Sequence, residues 1–429
     1  MRSRVRRAQG DVSVARRLGR PRSAGVTSLC AAALLSLLGC ESAGRGAGPE
    51  VPQSVHRPNG ALAVTYTREL VNISRRVGEP YERGRPAIDV SGRRVFVGSS
   101  DRGLYALRAE DGTTLWRFET LAPVQGEPLY DAAEDVLYFG SNDGALYKVK
   151  AADGQLLWRI ATNAEISRQP RLVEGTLYVV NANDTVVALK AADGSMLWTQ
   201  HRTPAAGMSI AGHAGLLVSG DRVFAAFSDG NVVAFDARTG NERWQPVDLG
   251  ADAERLLGEP PKYLDVDTTP VPGVSQGIPV IYVASYEGGV YALDADTGME
   301  VWAQHAVRGA AELLPWSEPA HPARDGKGDV PSRRMLIVST GTSGLWALDP
   351  ETGAELWRQP IPRGGISAPV PIAGALLVTT SQLGVFLVNP LDGHVMDGLD
   401  MVSGAAMTPA VAGHRAFVVG NAGRLLALT

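Results

Sequence analysis

Short apolar runs alternate with polar, glycine-bearing turns along most of this chain, and the alternation keeps one order. Val95-Phe96-Val97 is a β-branched and aromatic run, Ser100-Asp101-Arg102-Gly103 has turn chemistry, and Leu104-Tyr105-Ala106-Leu107 is a second run. Glu110-Asp111-Gly112 is a second turn, and Thr114-Leu115-Trp116-Arg117-Phe118 is a third run. Runs this short, bounded by such turns, read as strands, with glycine supplying the positive φ of tight hairpins. The same order returns at 136–158, 176–198, 223–244, 280–302 and 335–357.

A fixed offset ties these units together. Gly112/Trp116, Gly154/Trp158, Gly194/Trp198, Gly240/Trp244, Gly298/Trp302 and Gly353/Trp357 each stand four residues apart. The tryptophans are spaced by 42, 40, 46, 58 and 55 residues. A period of this size made of short strands indicates a radial β array, a propeller, rather than a helical solenoid. A large aromatic at one place in every unit is a packing device that fills the gap between neighbouring sheets.

A fourth strand precedes each trio, marked by Pro86, Pro128, Pro170, Pro270, Pro369 and Pro409. Proline is tolerated at the first residue of a strand, where a missing N–H costs least. Units four and six lack this mark. Unit seven (375–398) has Asp397 in the tryptophan place, and unit eight (415–429) stops before an outer strand. The lone run Leu62-Ala63-Val64-Thr65-Tyr66-Thr67 precedes unit one and is expected to complete the last blade, closing the ring without an unpaired terminal edge. The reading is an all-β fold: an eight-bladed β-propeller of four-stranded antiparallel blades, with seven blades as the alternative count.

Composition changes the picture only at the N-terminus. The chain has 429 residues, enough for two or three domains, but the repeat absorbs 61–429 into one ring. Eight arginines precede the apolar stretch Val26 to Leu38, which is too short to span a bilayer and suits a signal-peptide core. Leu37-Leu38-Gly39-Cys40 matches the bacterial lipoprotein box. Residues 1–39 are therefore read as a lipoprotein signal peptide, Cys40 as the lipidated residue, and 40–60 as a flexible tether. An ordinary secretory signal with an incidental cysteine is the alternative. Cys30 and Cys40 are the only cysteines, so processing leaves no thiol chemistry. Removing residues 1–40, which carry +7, takes the formal charge from −4 to −11. An acidic body without basic runs does not attract nucleic acid or anionic headgroups, so the membrane is reached through the lipid anchor only.

Catalytic chemistry is not legible. No two of the seven histidines stand at metal-ligand spacing, and no nucleophile elbow or phosphate-cradling loop is present. Asp111, Asp153 and Asp193 recur with the repeat as turn formers rather than as acid–base pairs. No catalytic residue, metal or cofactor is expected, although a central funnel can gather residues distant in sequence. Two connections exceed the period: 246–268, and 318–334, which is polar, unpatterned and read as a mobile surface loop.

ALDADTGMEVW (292–302) and ALDPETGAELW (347–357) resemble the quinoprotein-type propeller repeat. Some proteins with that repeat are dehydrogenases that use pyrroloquinoline quinone, with a vicinal disulfide and an acidic calcium cluster, neither of which is evident here. Lipid box, tether and eight such units together resemble the BamB family of outer-membrane assembly lipoproteins. Leu264-Asp265-Val266-Asp267-Thr268-Thr269-Pro270-Val271, before unit five, is similar to that family's Asp-Val-Asp-Thr-Thr-Pro phrase. Gly207-Met208-Ser209-Ile210-Ala211-Gly212, before unit four, resembles its Leu-Ser-Leu-Arg-Gly loop, with Ala211 in the arginine place. The resemblance implies that Met208, Ile210, Asp265 and Asp267 contact the POTRA domains of a BamA-like barrel assembly protein. It further implies a non-catalytic scaffold on the periplasmic face of the outer membrane, with unfolded outer-membrane proteins as clients. A different envelope propeller that binds another protein or a polymer is the alternative, and a quinone-dependent dehydrogenase is a remote one.

Overall fold

The second unit shows how the pattern becomes a blade. Leu129–Asp131, Val136–Gly140, Ala145–Lys150 and Leu156–Ala161 pair in chain order as one antiparallel sheet. The two middle strands are buried almost throughout, because neighbouring sheets cover both of their faces. The outer strand is buried only in part. The computed structural model describes residues 53–56, 60–71, 81–204, 213–258, 261–263, 265–322, 329–361 and 364–429; of residues 53–56 and 256–257 only the backbone is described. Within these residues the pattern repeats as eight sheets around an axis.

The core lies between blades rather than inside them. Eight apolar clusters each join two neighbouring units; Phe96, Leu104, Leu137 and Phe139, for instance, join the first to the second. Val95, Leu107, Phe417 and Leu425 join the first to the last. Val64–Glu69 pairs with Arg424–Leu428 as the outer strand of blade eight, so the N-terminal run closes the ring as expected. The prolines stand immediately before the inner strands: Pro86 before Ala87–Ile88, Pro128 before Leu129–Asp131, Pro409 before Ala410–Ala412.

The Gly–Trp offset has a geometric cause. Each tryptophan packs not on its own glycine but on the glycine of the next blade. A Cβ on Gly154, which sits at φ +73°, would lie 2.7 Å from the Trp116 ring; Gly240 stands likewise on Trp198 and Gly353 on Trp302. In all of these units but the one with Trp244, the indole N–H then donates to a carbonyl in that same turn: Trp116 to Ala151 (3.0 Å), Trp158 to Ala191 (3.2 Å), Trp198 to Ala237 (2.9 Å), Trp302 to Pro350 (3.1 Å) and Trp357 to Pro390 (3.0 Å). The closing strand copies the device with Tyr66, whose hydroxyl donates to Ala109 O (3.1 Å) and whose ring lies against Gly112. Asp397 replaces tryptophan where the next blade offers no such turn, and its carboxylate accepts the N–H of Leu62 at the start of the closing run (2.9 Å).

Four segments depart from the expected pattern. In blade four the outer strand is Val247–Asp248 and does not include Trp244, contrary to the third-strand expectation. Pro246, lacking an N–H, stands between them and interrupts the ladder. Residues 249–257 of the long 246–268 connection form a helix, capped by Asp248 and ended by Gly258 at φ +74°. The segment 318–334 is not a free loop throughout. The inner strand of blade six runs on as Ala310–Glu318 against Arg333–Thr340, and His321–Pro322 pairs with Asp329–Val330. Leu314 and Trp316 alternate toward the cluster shared with blade seven, which holds this longer hairpin in register. Finally, Gln53–His56, in the stretch read as tether, adds a fifth strand to the outer edge of blade seven. An outer edge presents unpaired N–H and C=O groups that an extended segment satisfies.

Candidate partner-binding face

Antiparallel alternation puts every outer-to-inner connection on the same face of the ring. The connectors before blades four and five therefore share that face, and they hold the two motifs singled out in the sequence. Met208 and Ile210 lie outside the described residues; the connector is described again from His213. Asp265 and Asp267 are described, and their surroundings differ.

The Asp265–Pro270 phrase is anchored at nearly every residue. The carbonyl of Asp265 accepts from Tyr286 N (3.3 Å), and Val266 is buried with its N–H donated to Phe227 O (3.3 Å). Thr268 Oγ1 donates to Ala284 O and accepts from Ala284 N, at 3.2 and 2.8 Å. Thr269 Oγ1 accepts the N–H of Gly215 (3.0 Å), tying this connector to the one before blade four. The Asp265 side chain is 1% exposed, so it shapes the loop from beneath. Asp267 is partly buried and nearer the surface. Its carboxyl is pushed up to about 7, first by burial and then by the charge of Asp265; Arg168 offsets part of this, and Asp184 and Glu312 add to it.

Around the axis the fold gathers charges that sequence reading did not identify. Arg168 donates to Glu312 Oε1 (2.7 Å), to the Asp267 carbonyl (3.1 Å) and, through Nε, to the His213 carbonyl. Arg85 donates to the same Glu312 oxygen at 3.0 Å. Burial by itself would raise the Glu312 carboxyl, but the two guanidinium groups outweigh it and hold the group below the usual range. Gln169 donates to Glu127 Oε1 (2.6 Å) and accepts from Arg171 (2.9 Å). Burial raises the Glu127 carboxyl despite Arg85 and Arg171. Glu127, Gln169 and Thr408 line an axial cavity of about 390 Å³ with the inner-strand prolines. A signal for three of these positions was present: Arg85, Glu127 and Gln169 each stand one residue before an inner-strand proline.

His213 is 6% exposed and its imidazole is pushed down to about 3 by burial, reinforced by the charge of Arg168. Its Nδ1 lies 3.4 Å from Ser167 Oγ. Asp111, Asp153 and Asp193 accept backbone N–H groups two residues on, each at 2.9 Å, as turn formers. Among the described residues no three His, Cys, Asp or Glu side chains gather as a metal-ligand set. No described helix is long and apolar enough to cross a membrane.

The chain matches the family described as outer membrane protein assembly factor BamB over residues 74–134, 121–312 and 287–429. The outer membrane protein assembly factor BamB of Legionella pneumophila (strain Paris) is 27% identical over 214 residues, covering 49% of this chain and 48% of that protein. The chain thus spans about half the length of that curated relative. The quinohemoprotein alcohol dehydrogenase ADH-IIG of Pseudomonas putida is 28% identical over 221 residues, covering 45% of this chain and 28% of the enzyme. The crystal structure of BamB from Moraxella catarrhalis superposes with a TM-score of 0.64 at 17% identity, covering 86% of this chain and 99% of that one, and shares the fold. With matches running through all eight blades of the ring, the chain belongs to the outer membrane protein assembly factor BamB family.

Proposed function

We propose that this chain is a non-catalytic scaffold of the machinery that assembles β-barrels in the outer membrane. In this reading it docks on the periplasmic POTRA domains of a BamA-like protein and assists insertion of unfolded barrel precursors. The observation that carries the reading is the family match along the whole ring. The connector face supports it. Asp267 combines partial burial with a raised carboxyl, and a lysine or arginine from a partner would discharge that strain. Met208 and Ile210 would supply the apolar anchors of a small interface, and Asp265 would hold the Asp267 loop in shape from below. The protein would be anchored through lipid on Cys40 at the periplasmic face of the outer membrane.

The test is binding of purified POTRA domains by wild type and Asp267→Lys. The reversal leaves the ring folded and abolishes binding in this reading; undiminished binding removes Asp267 from the interface. The similarity to a quinohemoprotein dehydrogenase motivates one competing experiment. Addition of pyrroloquinoline quinone and calcium is expected to yield neither a chromophore nor dye reduction, and the appearance of both would make the chain an enzyme.

A further inference from the structure

We propose that Arg168 is a positioning residue for the partner-binding face, holding its two connectors in one fixed relation through the carbonyl oxygens of His213 and Asp267. The inference rests on the docking reading above. Guanidinium is planar, with donors in a rigid fork, so one side chain can fix several acceptors at set angles. Here each of the three guanidinium nitrogens donates in a different direction. Nε meets the carbonyl at the start of the blade-four connector, Nη2 meets the carbonyl of Asp267 before blade five, and Nη1 meets Glu312 on the inner strand of blade six.

Glu312 orients the fork and is itself held by Arg85, from the segment that enters blade one. Segments belonging to blades one, three, four, five and six therefore meet at one ion-paired cluster on the axis. The cluster is shielded: the Arg168 and Glu312 side chains are 14% and 12% exposed. Hydrogen bonds in such surroundings gain strength, and losing the donor takes the Arg168 partner from two carbonyls and leaves Glu312 with Arg85 alone. The Gly215–Thr269 hydrogen bond joins the same two connectors farther along. Arg168 thus acts on the partner only through the backbone it positions, and a lysine in its place keeps the charge opposite Glu312 but cannot span both carbonyls.

Hydrogen exchange and binding of purified POTRA domains, measured on the full mature chain, test this together. Arg168→Lys should stay folded and melt only a few degrees below wild type. It should exchange amides in 213–216 and 265–268 at least about ten-fold faster and bind about ten-fold more weakly. Arg168→Met, which removes every donor, should show the same pattern more strongly. Exchange in both segments equal to wild type overturns the proposal, and so does faster exchange with unchanged binding. A wild-type chain that fails to bind POTRA domains counts instead against the docking reading, and the exchange comparison still decides the role of Arg168.

Discussion

At the residue scale, one recurring contact explains both the tryptophans and the glycines of the repeat. The indole of one blade needs bare backbone in the next, which is why the pair is spaced evenly in sequence without touching within a unit. Trp198→Ala should lower stability by about 3–5 kcal/mol in urea unfolding, because a side chain 8% exposed and its hydrogen bond to Ala237 are both lost. Asp267 gives a pH signature. Its folded-state carboxyl lies near 7, above the unfolded value of 3.8, so the stability it contributes is full below about pH 4 and lost as pH rises through 7. His213 works in the other direction. Its folded value near 3 lies below the ordinary 6.5, so its contribution is full above pH 6.5 and lost toward pH 3. Asp267→Asn should therefore gain on wild type between pH 5 and pH 8 when urea midpoints are compared. If a partner cation pairs with the Asp267 carboxylate, POTRA affinity should rise from pH 6 to pH 8, and Asp267→Asn should flatten that rise.

At the level of strands and connectors, the sequence carried what the period repeats. Turn glycines, β-branched runs and inner-strand prolines are local signals, and they placed seven units, the truncated eighth and its closing strand. The outer strand of blade four escaped because Pro246 displaces it beyond the tryptophan that marks it elsewhere. The hairpin of blade six escaped because a polar segment gains strand structure only when Leu314 and Trp316 find a neighbour to pack on. The axial charges were hidden for a related reason. Arg168 and Glu312 are 144 residues apart, and only closure of the ring makes them partners. Asp265 and Asp267 look alike in sequence, two residues apart on one loop, yet one is buried beneath the surface and the other only in part. Closure itself is open to test at this scale: Tyr66→Ala should lower stability by about 2 kcal/mol, because Tyr66 fills on blade eight the place tryptophan fills on others. Chemical denaturation reads this directly.

Across the whole molecule, a closed ring of interblade cores gives a stiff disc whose connectors rather than its blades carry identity. Most blades share the same packing contacts, so the residues between blades are what chiefly distinguish one sector from another. The connectors before blades four and five stand out in this respect, since Arg168 and Thr269 join them to each other. The central claim is that this sector docks on a BamA-like protein. Its most direct test is a photo-crosslinker at position 267 in native membranes, with mass-spectrometric identification of the chain it captures. Capture of a BamA-like protein through its POTRA domains is predicted; capture of a different envelope protein, with no BamA-like chain among the products, would contradict it.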